Sequence, residues 1–138
     1  MPIHTMSFNE GVFHARTVGY VDNVDGRMWG SAFKQYARSS DVPIVAVMDL
    51  TDADRLCSTL PRVLSDVLSE VNIAGVILVV SGALASQNMR VFDKIDRMDG
   101  VRAVGDINTA TTYANGLINP GFGMYTAQAS AFSMAACL

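Results

Sequence analysis

A short apolar run near the middle of the chain restricts the fold more than any other stretch. Residues 44–48 read IVAVM, directly after Pro43 and directly before Asp49. An uninterrupted apolar run of this length is typical of a strand that helices cover on both faces, as in a parallel sheet. Ligands and switches in such sheets lie at the carboxyl ends of the strands, so the segment after Asp49 is where we expect the functional residues.

The size and composition indicate one globular domain. Half of the 138 residues are hydrophobic and 17% are charged, which is enough to bury a core without metals or disulfides. The net charge of −3 argues against a nucleic-acid-binding surface. No apolar run is long enough to span a membrane, and residues 1–4 lack the basic-then-apolar order of a signal peptide. We therefore expect a cytoplasmic protein with reduced thiols at Cys57 and Cys137.

Patterning along the chain predicts strands that alternate with helices. Segments 3–8 and 12–18 resemble two strands, and Asn9-Glu10-Gly11 between them favours a tight hairpin. The predicted order is β-β-α-β-α-β-α-β-α, with a second buried strand at 74–80 and a short one at 101–104. The predicted fold class is α/β: a mostly parallel mixed sheet of about five strands with an N-terminal antiparallel hairpin and about four helices.

The helical stripes predict which residues enter the core. The inward-facing positions are Trp29, Ala32, Phe33, Tyr36 and Ala37, then Leu60, Val63, Leu64, Val67, Leu68 and Val71, then Met89, Phe92, Ile95 and Met98. A polar turn is expected at 52–55, and Asn108 is expected to cap the last helix. Residues 120–138 are Gly- and Ala-rich and almost uncharged, so we expect a tail beyond a domain of residues 1–119.

Motifs for catalysis and metal binding are weak. Residues 31–34 match S-x-x-K but lie on a predicted amphipathic helix without the companion motifs. His4 and His14 lie on neighbouring predicted strands, but no third metal ligand accompanies them. Cys57 near a helix start is more often a buried thiol than a reactive one. We therefore expect no enzyme activity, no metal and no cofactor.

Ser58 and Thr59 stand at the expected start of the helix that follows the central strand. Serine and threonine are preferred at this position because their hydroxyls accept hydrogen bonds from the free N–H groups of the first turn. Residue type alone therefore favours a capping role for these two side chains.

The residues around Ser58 also resemble a known family. Asp49-Leu50-Thr51 and then Cys57-Ser58-Thr59-Leu60 are similar, at matching spacing, to the Asp-Leu-Ser and Asp-Ser-Ser-Gly motifs of STAS domains. STAS domains form the fold of bacterial anti-sigma-factor antagonists such as SpoIIAA. The resemblance extends over residues 3–118 in the order of the predicted elements. Cys57 and Leu60 depart from the family's Asp and Gly.

The resemblance implies a function for particular residues. In regulatory STAS domains, a serine at the helix start is phosphorylated by a partner kinase that doubles as the anti-sigma factor. By position, the phosphorylation candidates are Ser58 and Thr59. The resemblance also implies a protein-binding surface that contains Asp49, Thr51, Cys57 and Ser58.

Three classes of function follow. The first is a non-enzymatic regulatory domain that binds a protein partner, without a nucleic-acid partner or a membrane span. The alternative is a small-ligand or lipid-binding protein without a phosphorylation switch, whose cavity is lined by methionines and by aromatics such as Trp29, Phe33 and Tyr36. An enzyme is the third class, supported only by scattered polar residues. We also predict a homodimer, because the antiparallel edge of the sheet and the apolar tail favour self-association.

Overall fold

The computed structural model describes residues 3–9 and 11–118, without the side chains of residues 3–5 and 9. The strands are β1 (Ile3–Asn9), β2 (Val12–Val21), β3 (Ile44–Leu56), β4 (Ile73–Val79) and β5 (Val101–Val104). The helices are α1 (Asn23–Ser39), α2 (Leu60–Leu68), α3 (Gly82–Gln87), α4 (Met89–Ile95) and α5 (Ile107–Ile118). The expected tail at 120–138 lies outside the described residues.

The strands form one mixed sheet in which β3 is central. Their order is β1-β2-β3-β4-β5, with β1 and β2 antiparallel and all other neighbours parallel. Every residue from Ile44 to Met48 is 0% exposed. The predicted α/β fold with a doubly covered middle strand is therefore confirmed.

Alternation along β3 divides its side chains between two layers of helices. Ala46, Met48 and Leu50 belong to a cluster shared with α1, α2, α3 and α4, whereas Val45 and Val47 belong to a cluster shared with α5. On the first face, the largest fully buried side chains are Trp29, Phe13 and Phe33. The face that carries α1 and α2 therefore holds most of the core.

The central strand is longer than the sequence predicted. Residues 52–55, expected as a polar turn, continue β3 and pair with β2, so that Leu56 lies opposite Val21. Ala53 and Leu56 are 7% and 5% exposed, and their burial keeps this polar segment extended against the core. The prediction of a turn was wrong because β2 itself extends to Val21 and supplies backbone partners.

The third predicted helix is divided into α3 and α4 at Asn88. This residue has φ −124° and ψ 40°, which is not helical. Met89, expected in the core, is 63% exposed just after the break. Val71, also predicted in the core, is 93% exposed. The reason is that α2 ends at Leu68, so Val71 is not on the helix face that packs against the sheet.

The last helix begins earlier than expected. The N–H of Thr109 donates to Oδ1 of Asp106, so Asp106 and not Asn108 provides the cap of α5. This contact also holds the pKa of Asp106 below its ordinary value, first through the Thr109 N–H and then through the Thr109 hydroxyl. Within the described ranges, none of the helices combines the length and apolarity that a membrane crossing demands.

Candidate functional site

Ser58 lies in the turn that joins the central strand to α2. The N–H of Cys57 donates to the carbonyl oxygen of Val21 at 2.9 Å, which ties the end of β3 to the end of β2. Leu60 begins α2 and is 0% exposed, so the helix start is anchored in the core. Ser58 stands between these two fixed points and is exposed. Within the described residues, no hydrogen bond restrains its hydroxyl.

Thr59 occupies the N-cap position of α2, but its side chain does not cap the helix. Its hydroxyl instead donates to Oδ1 of Asn23 at the start of α1, and it also lies 3.4 Å from Sγ of Cys57. The expectation that Ser58 or Thr59 caps the helix through its side chain was therefore wrong for Thr59. Because Thr59 is half-buried and engaged, Ser58 has the more accessible hydroxyl of the two phosphorylation candidates.

Cys57 is a buried thiol. Its side chain is 5% exposed and it packs in the larger core cluster, so the expectation of an interior cysteine is confirmed. The sequence placed Cys57 on a partner-binding surface, but a buried side chain cannot contact a partner. Only the backbone of Cys57 contributes, because its hydrogen bond to Val21 fixes the turn that carries Ser58.

The structure separates Asp49 and Thr51 from Ser58. Oδ1 of Asp49 accepts from the Thr51 N–H at 3.0 Å and from the Thr51 hydroxyl at 2.5 Å, so these two side chains satisfy each other. Both flank the core residue Leu50 and hence point to the α5 face, whereas α2 packs on the opposite face. The single surface expected from the sequence is thus divided between the two faces of the sheet.

A groove with a volume of ≈ 530 Å³ runs between α1 and α2 and is lined in part by Thr59. In the described part of the chain, its charged lining consists of Arg27, Lys34, Arg62 and Asp66. Nζ of Lys34 lies 2.7 Å from Oδ2 of Asp66. The groove beside the Ser58 turn therefore carries a local excess of positive charge on a chain whose net charge is −3.

Further along, Arg38 of α1 and Glu70, two residues after the end of α2, form a two-contact ion pair. Nε and Nη2 of Arg38 each lie 3.1 Å from an oxygen of the Glu70 carboxylate. This hydrogen-bonded pairing lowers the pKa of Glu70 and raises the pKa of Arg38. The Arg38 side chain is 63% exposed and that of Glu70 is 20% exposed, so water screens the pair in part and it mainly aligns α1 with the end of α2.

The side chain of Asn88 hydrogen-bonds the backbone at the end of β3, just before the Ser58 turn, a role that the sequence analysis missed. Its Oδ1 accepts from the N–H of Leu56 at 3.2 Å, and its Nδ2 donates to the carbonyl oxygen of Leu84 at 2.9 Å. Asn88 is 9% exposed, and this side chain links the end of β3 to the break between α3 and α4. The local signal was an Asn inside an apolar helical pattern, where a side chain that bonds backbone groups favours a break.

The sequence also offered three aromatic residues as the lining of a ligand cavity and two histidines as neighbours in the sheet. Trp29 and Phe33 are core residues, and Tyr36 stacks on Phe8 with ring centroids 4.6 Å apart. None of the three lines the groove between α1 and α2. His14 pairs with Ser7 in the sheet, not with His4. Across residues 3–9 and 11–118, no group of three or more His, Cys, Asp or Glu side chains is arranged to hold a metal.

Comparison with known proteins identifies the fold. No family model and no curated protein matches the chain by sequence. A crystal structure of an anti-sigma factor antagonist from Mycobacterium paratuberculosis matches with a TM-score of 0.56 and 17% identity, covering 80% of this chain and 92% of that one. The structure of the anti-sigma factor antagonist SpoIIAA in its unphosphorylated form matches with a TM-score of 0.57 and 11% identity, covering 79% and 94%. The chain therefore has the SpoIIAA-like fold, which confirms the STAS resemblance at the level of the fold.

Proposed function

We propose that this chain is a non-enzymatic regulatory domain that binds a protein partner through the surface around Ser58 and the exposed side of α2. The observation that carries the proposal is the exposed Ser58 hydroxyl, held at the start of α2 directly after the central strand. The shared fold with two anti-sigma factor antagonists supports a partner of the anti-sigma factor type.

Phosphorylation of Ser58 is the switch in this proposal. The serine oxygen attacks the γ-phosphorus of a nucleoside triphosphate held by a partner kinase. The bond from that phosphorus to the β–γ bridging oxygen breaks, the nucleoside diphosphate leaves, and the hydroxyl proton passes to a base of the kinase. This chain supplies only the accepting hydroxyl.

The switch acts by changing the charge of the contact surface. A phosphate carries nearly two negative charges and three strongly hydrated oxygens. At a helix amino terminus, negative charge is favourable by about 0.3–1 kcal/mol, so the modified domain stays folded. Burial of the same group against a partner that lacks matching cations is costly, and the modified form is released.

Binding of purified variants to the kinase-type anti-sigma factor encoded nearest to this gene tests the proposal. Ser58→Asp places charge at the contact and is expected to raise the Kd at least about tenfold, whereas Ser58→Ala keeps binding. Thr112→Asp is the matched control, because it adds the same charge to an exposed position of α5 on the other face of the sheet. Binding of Ser58→Asp with the affinity of the parent contradicts the switch.

A further inference from the structure

We infer that a phosphate on Ser58 is held in cis by the guanidinium groups of Arg27 and Arg62, which line the groove between α1 and α2 beside the Ser58 turn. The inference deepens the proposed function and rests on Ser58 being the modified residue. It assigns a specific role to two cations that no motif singles out.

The two ion pairs beside this groove are regularly spaced. Lys34 pairs with Asp66 and Arg38 pairs with Glu70, and each pair is separated by 32 positions in the sequence. Successive pairs are four residues apart on each side, which is the spacing of neighbours along one helix face. Asp66 lies on α2, and Glu70 lies two residues after its end, so α1 runs alongside α2 and the turn that follows it.

When this spacing is continued toward the start of the helices, the next position on α2 does not carry an acidic residue. One turn earlier it places Arg62 opposite Gly30. Ser58 lies outside this register, in the turn before α2, and its neighbour Thr59 bonds Asn23 at the start of α1. The glycine allows close approach: a Cβ on Gly30 would lie 3.1 Å from Cγ1 of Val63. The end of the groove next to the Ser58 turn therefore has a cation, Arg62, where the two ion pairs have an acid.

Two cations line the groove near the Ser58 turn. Arg27 and Arg62 are exposed and line the groove together with Thr59, the residue after Ser58. The N–H of Arg62 donates to the Thr59 carbonyl oxygen at 3.0 Å, which fixes the Arg62 backbone next to the Ser58 turn. Within the described ranges, neither guanidinium lies within an ion-pair distance of a carboxylate.

Asp22, the N-cap residue of α1, and Asp25 in its first turn are already engaged with each other. Asp22 accepts from the Asp25 N–H at 2.9 Å in the capping box of α1. That hydrogen bond, and to a lesser extent the charge of Arg27, lowers the pKa of Asp22. Arg27 therefore keeps its donors available for a phosphate, whose oxygens it binds in a planar two-contact geometry that lysine does not reproduce.

A ³¹P NMR titration of the full chain with genetically encoded phosphoserine at position 58 tests the inference. Free phosphoserine has a second pKa of about 6, and a nearby guanidinium stabilises the dianion. We expect the pKa in the folded protein to lie at least about 0.5 below that of the same protein in urea. Arg27→Gln with Arg62→Gln is expected to remove most of this difference, leaving the smaller effect of the helix amino terminus.

Two comparisons decide the outcome. Arg97→Gln removes a positive charge from the exposed segment after α4 and is expected to leave the phosphoserine pKa unchanged. Arg62→Lys is expected to keep part of the lowering, since charge persists while the two-contact geometry is lost. If the phosphoserine pKa is the same in the parent and in the Arg27→Gln, Arg62→Gln double variant, the two arginines do not hold the phosphate. The same conclusion follows if the double variant and Arg97→Gln change this pKa equally. No partner enters the measurement, so its failure is distinguishable from failure of the proposed partner binding.

Discussion

The Thr59 hydroxyl donates a hydrogen bond to Oδ1 of Asn23 and thereby joins the start of α2 to the start of α1. Thr59→Val keeps the shape of the side chain and removes the donor. We expect the free energy of unfolding to fall by about 1 kcal/mol, the usual net contribution of a neutral hydrogen bond. Urea unfolding followed by the fluorescence of Trp29, the single tryptophan, measures it.

A double-mutant cycle isolates that contact. In the background of Asn23→Ala, the acceptor is already absent, so Thr59→Val should cost much less than it does alone. Equal costs in the two backgrounds would show that the hydrogen bond does not contribute to stability.

Asn88→Ala should destabilise the protein more strongly. The substitution leaves the buried N–H of Leu56 without its acceptor, and an unsatisfied buried donor costs about 1–3 kcal/mol. Gln87→Ala, at an exposed neighbouring position, is the control and should change the free energy of unfolding by less than about 0.5 kcal/mol. Hydrogen exchange should also accelerate at the Leu56 amide, and unchanged protection there would contradict the proposed support of the Ser58 turn.

Two glycines of α1 form a matched pair for testing helix packing. A Cβ on Gly26 would lie 3.6 Å from Val63, an ordinary contact, so Gly26→Ala should stabilise the helix by about 0.5 kcal/mol. A Cβ on Gly30 would lie 3.1 Å from Val63 and 3.4 Å from Val67, and the crowding should cost about 1 kcal/mol net. Thermal unfolding that ranks Gly30→Ala at or above Gly26→Ala would show that α2 yields without cost.

Burial of His14 predicts a pH dependence of stability. Desolvation lowers the pKa of His14 from its ordinary value of 6.5, so the unfolded chain binds this proton more readily than the folded one. The contribution is fully present above about pH 6.5 and is lost as the pH falls through that value toward the folded pKa. His14→Gln should flatten this part of the profile in urea unfolding at pH 5 to 8. An NMR titration of His14 that gives a pKa above 6.5 would contradict the prediction.

The predicted homodimer is tested by gel filtration with light scattering. β1 is an edge strand, and Met6 and Phe8 on it are 40% and 36% exposed. We expect twice the monomer mass, and Met6→Lys should restore the monomer because a charge on an edge strand opposes pairing with a second copy. A monomer at all concentrations of the parent would rule the dimer out.

The order of the elements and the position of the central strand were predictable because their signals are local. Ile44 to Met48 must be covered on both faces wherever they lie, and the stripe through Leu60, Leu64 and Val67 needs a core beside it. The turn with two hydroxyl residues at the start of α2 likewise follows from a strand, a turn and a proline at the helix start. These features depend on residue type and spacing alone.

The errors arose where distant residues set the local structure. The segment 52–55 is polar and was expected to turn, but the backbone of β2 extends alongside it and pairs with it. Residue type offered only a weak local sign of the break at Asn88, because the hydrogen bond that stabilises it comes from the N–H of Leu56, 32 positions away. Asp49 and Ser58 were placed on one surface because they share a motif, although alternation along β3 sends Asp49 to the other face.

By itself, the sequence determined that the chain forms an α/β sheet with β3 in its interior and a hydroxyl-bearing turn at the start of α2. Only the tertiary structure decided which hydroxyl is free, since Asn23 engages Thr59 and leaves Ser58 exposed. It also decided that Arg27 and Arg62, on different helices, line one groove together with Thr59. The physical reason is range: burial periodicity acts over a few residues, whereas hydrogen bonds and charge pairs form between whatever residues the packing brings together.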